Sequence, residues 1–200
     1  MKWIAPALAY LAVGLGLFQF QSAWGALLGF HVAIIGSLLI ARPQIPITII
    51  FKNNNPKWIF LSVLPCGGSG VMLYLFWERF GIAADISAQL AALGLNPHTW
   101  IPFIAYFALA NPFIEEYFWR GYLGKPTRRS HISDFLYAGF HALILIGRVR
   151  FGSIVFALAV LTLAGWFWRQ IAREGEGLLA PVLGHMAADF TILTAVYWNT

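Results

Sequence analysis

Apolar residues run through this chain in long stretches that polar clusters interrupt at intervals. The stretches are too uniform for the alternation of a half-buried strand or the single stripe of a surface helix. Measured against the roughly 20 mostly apolar residues that a helix needs to cross a bilayer core, they divide into about seven segments. These lie near Trp3 to Phe18, Ala23 to Ala41, Trp58 to Trp77, His98 to Trp119, Phe135 to Gly147, Phe151 to Trp168 and Leu178 to Trp198. The pattern predicts an all-α fold, a polytopic transmembrane helical bundle of about seven helices (range six to eight), in a single integral-membrane domain over 1–200. The fifth segment is short, which predicts either a tilted helix or a hairpin with the sixth inside the bundle. The first begins like a signal peptide, but a second apolar run follows almost at once with no clear A-x-A site between them, favouring an uncleaved helix. Asn53 to Pro56 and Gly94 to Pro97 read as loop punctuation.

Composition sharpens this picture. The chain is 60% hydrophobic and only 10% charged, against roughly 25% charged in an ordinary soluble domain. Too few polar side chains exist to coat a globule in water, so lipid must cover much of the surface. Cys66 is the single cysteine, so no internal disulfide forms. The net charge of +5 does not mark a nucleic-acid binder, since no basic stripe interleaves with aromatic platforms. Membrane proteins gather Lys and Arg in cytoplasmic loops instead. With Lys2 on the cytoplasmic side, Arg42, Lys52, Lys57, Lys125, Arg128, Arg129, Arg169 and Arg173 join it. Only Arg79, Arg148 and Arg150 fall opposite, nine against three, with Arg120 at a helix end. The expected setting is a bacterial inner (plasma) membrane with a cytoplasmic N-terminus. The pattern carries no sign of an oligomeric state.

A charge at the centre of a membrane helix costs about 2.5–3.5 kcal/mol on insertion scales, so acids within the apolar segments are functional suspects. Three occur, Glu115, Glu116 and Asp189. Glu78, Asp85, Asp134, Glu174 and Glu176 lie at segment ends or in loops and read as solvated charges. His141 and His185 lie within segments, each roughly 10 to 12 Å in from the cytoplasmic side at 1.5 Å per residue, and Glu115 about 8 Å in. Carboxylate and imidazoles are thus expected at a common depth. Glu116 and Arg120, four apart, face each other, while Glu115 points about 100° away. Arg120 therefore neutralises Glu116 and leaves Glu115 as the carboxylate with no local cation, suited to acid–base work. Pro112 should loosen or kink this helix. His185 and Asp189, also four apart, stack on one face. His31, with no second polar partner nearby in its segment, reads as a packed or hydrogen-bonded core residue. His98 and His131 read as interface residues, and Trp58, Trp77, Trp168 and Trp198 as an aromatic belt.

Three motifs in order resemble those of the CAAX prenyl protease-like (CPBP, or Abi) intramembrane glutamic proteases. EExxxR appears as Glu115, Glu116, Tyr117, Phe118, Trp119, Arg120, followed by Gly121 and Tyr122. FxxxH appears as Tyr137 to His141, with Tyr in place of Phe. HxxxN or HxxxD appears as His185 to Asp189, with Pro181 upstream. The motif-bearing core is about 98–198; the first 97 residues match only in being apolar helices. The resemblance implies a membrane endopeptidase that hydrolyses a peptide bond in a membrane-anchored or membrane-adjacent polypeptide. Glu115 would be the general base, His141 its partner in activating water, His185 and Asp189 the lining of the oxyanion site, and Glu116 with Arg120 a supporting ion pair. An ionised Asp189 cannot donate to an oxyanion, so either it is protonated or it orients His185.

The resemblance also implies no cofactor. Glu115, His141, His185 and Asp189 form a set that zinc would accept, but no HExxH occurs. Gly67, Gly68, Ser69, Gly70 resembles the GxSG of rhomboid serine proteases; four small residues in an apolar helix more often permit close packing or a kink. A different class of reading is a non-catalytic membrane scaffold or immunity-type protein of the same fold, which would need no buried titratable trio.

Overall fold

The computed structural model describes residues 2–52 and 54–200, so Asn53 of the second loop lies outside the described residues. It is all-helical, as the pattern predicts. Helix α1 (Ile4–Gly14) runs on through a wider π-helical turn, Leu15–Gln19, before α2 (Ala23–Ala41). Ser22 caps α2, its hydroxyl accepting from the Gly25 N–H at 2.9 Å, and Arg42 ends it in the left-handed conformation. A 3₁₀ turn, Ile47–Phe51, leads to α3 (Pro56–Leu75), capped by the side chain of Asn55. The short α4 (Ile86–Ala92), which no apolar run announces, is followed by Gly94 at φ +84°. Then come α5 (Trp100–Glu116), α6 (Ile132–Gly139), α7 (His141–Leu145), α8 (Phe151–Gly175) and α9 (Leu179–Asn199).

Helices α2, α3, α8 and α9 are each long and apolar enough to cross a membrane. α5 is 17 residues long and continues through a π-helical turn, Tyr117–Tyr122. It passes unbroken through Pro112, and the widened winding comes one turn later, immediately after the paired glutamates. The fifth segment breaks at Phe140 into α6 and α7, and α6 packs against α8. α8 extends beyond the expected end at Trp168, which corrects the placing of Arg169 and Arg173 in a loop.

Polarity is arranged inside out. Phe151 and Val32 are 79% and 71% exposed, while Glu115, Glu116, Arg120, Asp134, Arg169, His31 and His185 are buried. Such an exterior is stable only against lipid. Asp134 is therefore no solvated charge. Its carboxylate binds the Arg169 guanidinium through Nε at 2.9 Å and Nη2 at 2.7 Å, and accepts from the His131 backbone N–H at 2.9 Å. His131 in turn caps α6, its Nδ1 accepting from the Ser133 N–H.

α9 lies along α3 and also packs against α5. Small residues set the α3–α9 seam. A Cβ on Gly70 would fall 2.2 Å from the Thr191 carbonyl carbon, and one on Gly184 2.0 Å from Ser62 Oγ. The glycine-rich stretch thus serves close packing, and Ser69 spends its hydroxyl on the Cys66 carbonyl one turn back. Gly70→Ala is expected to cost about 1–3 kcal/mol through overpacking. Gly68→Ala, where no atom lies within 4 Å, should be harmless. Thermal unfolding in detergent that failed to separate the two would contradict the close approach.

Candidate active site

The three motifs converge where α5 turns π-helical. Glu115, on the last turn of α5, is 2% exposed, and both carboxylate oxygens accept from neutral donors on the same helix. Asn111 Nδ2, one turn before, donates to Oε1 at 2.9 Å, and the indole N–H of Trp119, one turn after, donates to Oε2 at 3.0 Å. Each oxygen keeps a second lone pair.

Glu116 faces the other way, as helical spacing requires. Its Oε1 meets Arg120 Nη1 at 3.1 Å and also accepts from His185 Nδ1 at 2.8 Å. The supporting pair is therefore a triad reaching into α9. Arg120 spreads its guanidinium over the rings of Tyr137 at 3.9 Å and Trp168 at 5.0 Å. Gly165 makes the room, since a Cβ there would sit 3.3 Å from Arg120 Nη2 and 3.1 Å from the Tyr137 ring.

His185 is held on three sides: by Glu116, by Trp168 stacked at 5.0 Å and by the edge of Tyr137 at 5.9 Å. Asp189 approaches its Nε2 at 3.5 Å, beyond a good hydrogen bond. Glu116 thus orients this imidazole more tightly than Asp189 does. The other oxygen of Asp189 accepts from Asn111 Nδ2 at 3.2 Å. His141 opens α7 just past the break at Phe140, and its Nδ1–H donates to the Tyr137 carbonyl at 3.1 Å, which leaves Nε2 as a bare acceptor. Tyr137 is edge-on to both His141 and His185, so one ring spaces the two imidazoles. These contacts, like the one with Arg120, are made by the ring alone, so Tyr serves where the motif has Phe.

Asn111, Trp119 and Trp168 complete the cluster, and sequence reading missed their roles. Asn111 and Trp119 each lie four residues from Glu115, so the i±4 rule that paired Glu116 with Arg120 would have found them. Trp168, read as part of an aromatic belt, is buried under His185 and donates to Ser62 Oγ at 2.9 Å. His31 is buried as expected, yet it has polar partners: Tyr106 OH at 3.1 Å and Asn111 Oδ1 at 3.0 Å. A cavity of about 300 Å³ with apolar walls, Phe30, Phe103, Phe107 and Phe140 among them, reaches Asn111 and Glu115.

Fold and site together define an integral membrane protein whose helices enclose a carboxylate–imidazole cluster beside an apolar chamber. The segment that builds this cluster, residues 97–191, matches the model of the Rce1-like family, type II CAAX prenyl endopeptidases. That agrees with the resemblance of the three motifs. No curated protein and no solved structure matches the chain.

Proposed function

We propose that the protein is an intramembrane endopeptidase that cuts a membrane-anchored or membrane-adjacent polypeptide with a water activated by Glu115 and His141, without a metal. The observation that carries this reading is the position of Glu115. Its carboxylate is held by two neutral donors at the wall of an apolar chamber, so it can accept a proton without first breaking an ion pair. Water placed against Glu115 and the bare Nε2 of His141 gives a proton to the carboxylate, and its oxygen adds to the scissile carbonyl. The tetrahedral oxyanion forms on the side lined by His185, which Glu116 holds in place. Collapse breaks the C–N bond, and Glu115 returns the proton to the leaving amine. The chamber receives the apolar part of the substrate next to the scissile bond, which suits the lipid-modified substrates that the family's name implies.

The test is mass spectrometry of membrane-protein termini in cells carrying the wild type or Glu115→Ala at equal abundance, with the wild type also assayed under strong chelation. Unprocessed termini should accumulate only with Glu115→Ala, and chelation should leave processing intact. Identical termini in both cell lines would favour the scaffold reading instead, and loss of processing on chelation would restore a metal.

A further inference from the structure

We propose that His31, in the N-terminal part that carries none of the motifs, is a positioning residue of the site, acting through Asn111 on Glu115 and Asp189. This rests on Glu115 being the base. Asn111 Nδ2 spends its two hydrogens on two carboxylates, Glu115 Oε1 at 2.9 Å and Asp189 Oδ2 at 3.2 Å. An ionised carboxylate only accepts, so this end of the amide must be the NH₂ group. The opposite end, Oδ1, then needs a donor, and the atom facing it at 3.0 Å is His31 Nε2. His31 therefore carries its proton on Nε2. Its Nδ1 is bare and accepts from the hydroxyl of Tyr106 at 3.1 Å.

Every bond in this chain runs one way: Tyr106 donates to His31, His31 to Asn111, and Asn111 to both acids. A half-turn of the Asn111 amide would set its oxygen against two carboxylates and its hydrogens against an N–H. His31, Asn111 and Glu115 are all buried, where a mismatched polar group is not rescued by water. Asn111 and Glu115 wall the chamber and His31 does not, so His31 acts on the reaction only through its neighbour. An apolar residue on α2 would fill the same space; an imidazole there makes sense as the lock on the amide's orientation, since buried polar groups in membrane helices are costly.

The experiment uses the full chain in lipid nanodiscs and a fluorogenic peptide with an S-farnesyl cysteine, quenched across the bond after that cysteine. His31→Ala is expected to lower kcat by about 10- to 100-fold through misplacement of the base, with KM nearly unchanged and a lowered melting temperature, since the Asn111 carbonyl and the Tyr106 hydroxyl lose their buried partner. His31→Gln, whose Nε2 donates from the same place, should recover most of the loss. Tyr106→Phe should fall between. Nitrogen NMR of the labelled histidines should show His31 with Nε2 protonated and Nδ1 bare; this measurement needs no substrate and no variant. A wild-type kcat in His31→Ala, a His31→Gln as slow as His31→Ala, or an Nδ1–H tautomer at His31 would each overturn the inference. If Glu115→Gln is inactive while His31→Ala is fully active, only this inference falls. If Glu115→Gln turns over normally, the base assignment falls with it.

Discussion

Glu115→Gln is expected to lower peptide hydrolysis by about 10²- to 10⁴-fold, the usual worth of a positioned general base, with at most a modest loss of stability. Gln has the same shape, and its carbonyl can still accept from either Asn111 Nδ2 or the Trp119 indole, the two donors that hold Glu115. Its NH₂ must then face the other donor. One lost buried hydrogen bond costs about 1–3 kcal/mol, too little to unfold a bundle whose main packing lies in the α3–α9, α1–α2 and α5–α9 contacts. The variant therefore separates folding from chemistry. It keeps the cluster and lacks the atom that takes the proton from water. Turnover assayed beside thermal unfolding gives the answer, and a normal rate in a folded Glu115→Gln protein would end the hydrolytic reading.

Asp134→Ala should have the largest effect on stability, about 3–5 kcal/mol, because it strands a buried cation. Arg169 is 3% exposed and places all its donors: Nε and Nη2 on the Asp134 carboxylate, Nη1 on the carbonyls of Lys125 and Thr127, and Nη2 also on that of Arg129. Removing the acid leaves the guanidinium with only neutral acceptors and frees the start of α6, whose N-terminal backbone the same carboxylate caps. Asp134→Asn, which retains one acceptor oxygen, should lose less. Equilibrium unfolding in mixed micelles reads both. A loss of only about 0–1 kcal/mol, the range of an exposed pair, would show that Arg169 reaches water.

Hydropathy and helical spacing made the bundle and its centre legible, and the limits follow from what those signals measure. Segment positions came from burial in lipid, and the facing of Glu116 on Arg120 came from a repeat of 3.6 residues. Both are local. Arg169 was misplaced because an apolar window reads any guanidinium as a helix end. Here the helix continues and the charge is answered by a loop about 40 residues away. The break at Phe140 and the short α4 leave no mark in mean apolarity. His31 and Asn111 are 80 residues apart, so no spacing rule connects them, whereas Asn111 and Glu115, four apart, follow the same facing that pairs Glu116 with Arg120.

The seam between α3 and α9 has a mechanical consequence. Where Gly70 meets the backbone at Thr191 and Gly184 meets Ser62, no flexible side chains lie between the helices to let one slide over the other. The pair behaves as a single stiff beam, and His185 and Asp189 ride on it. One half of the site is thereby held still.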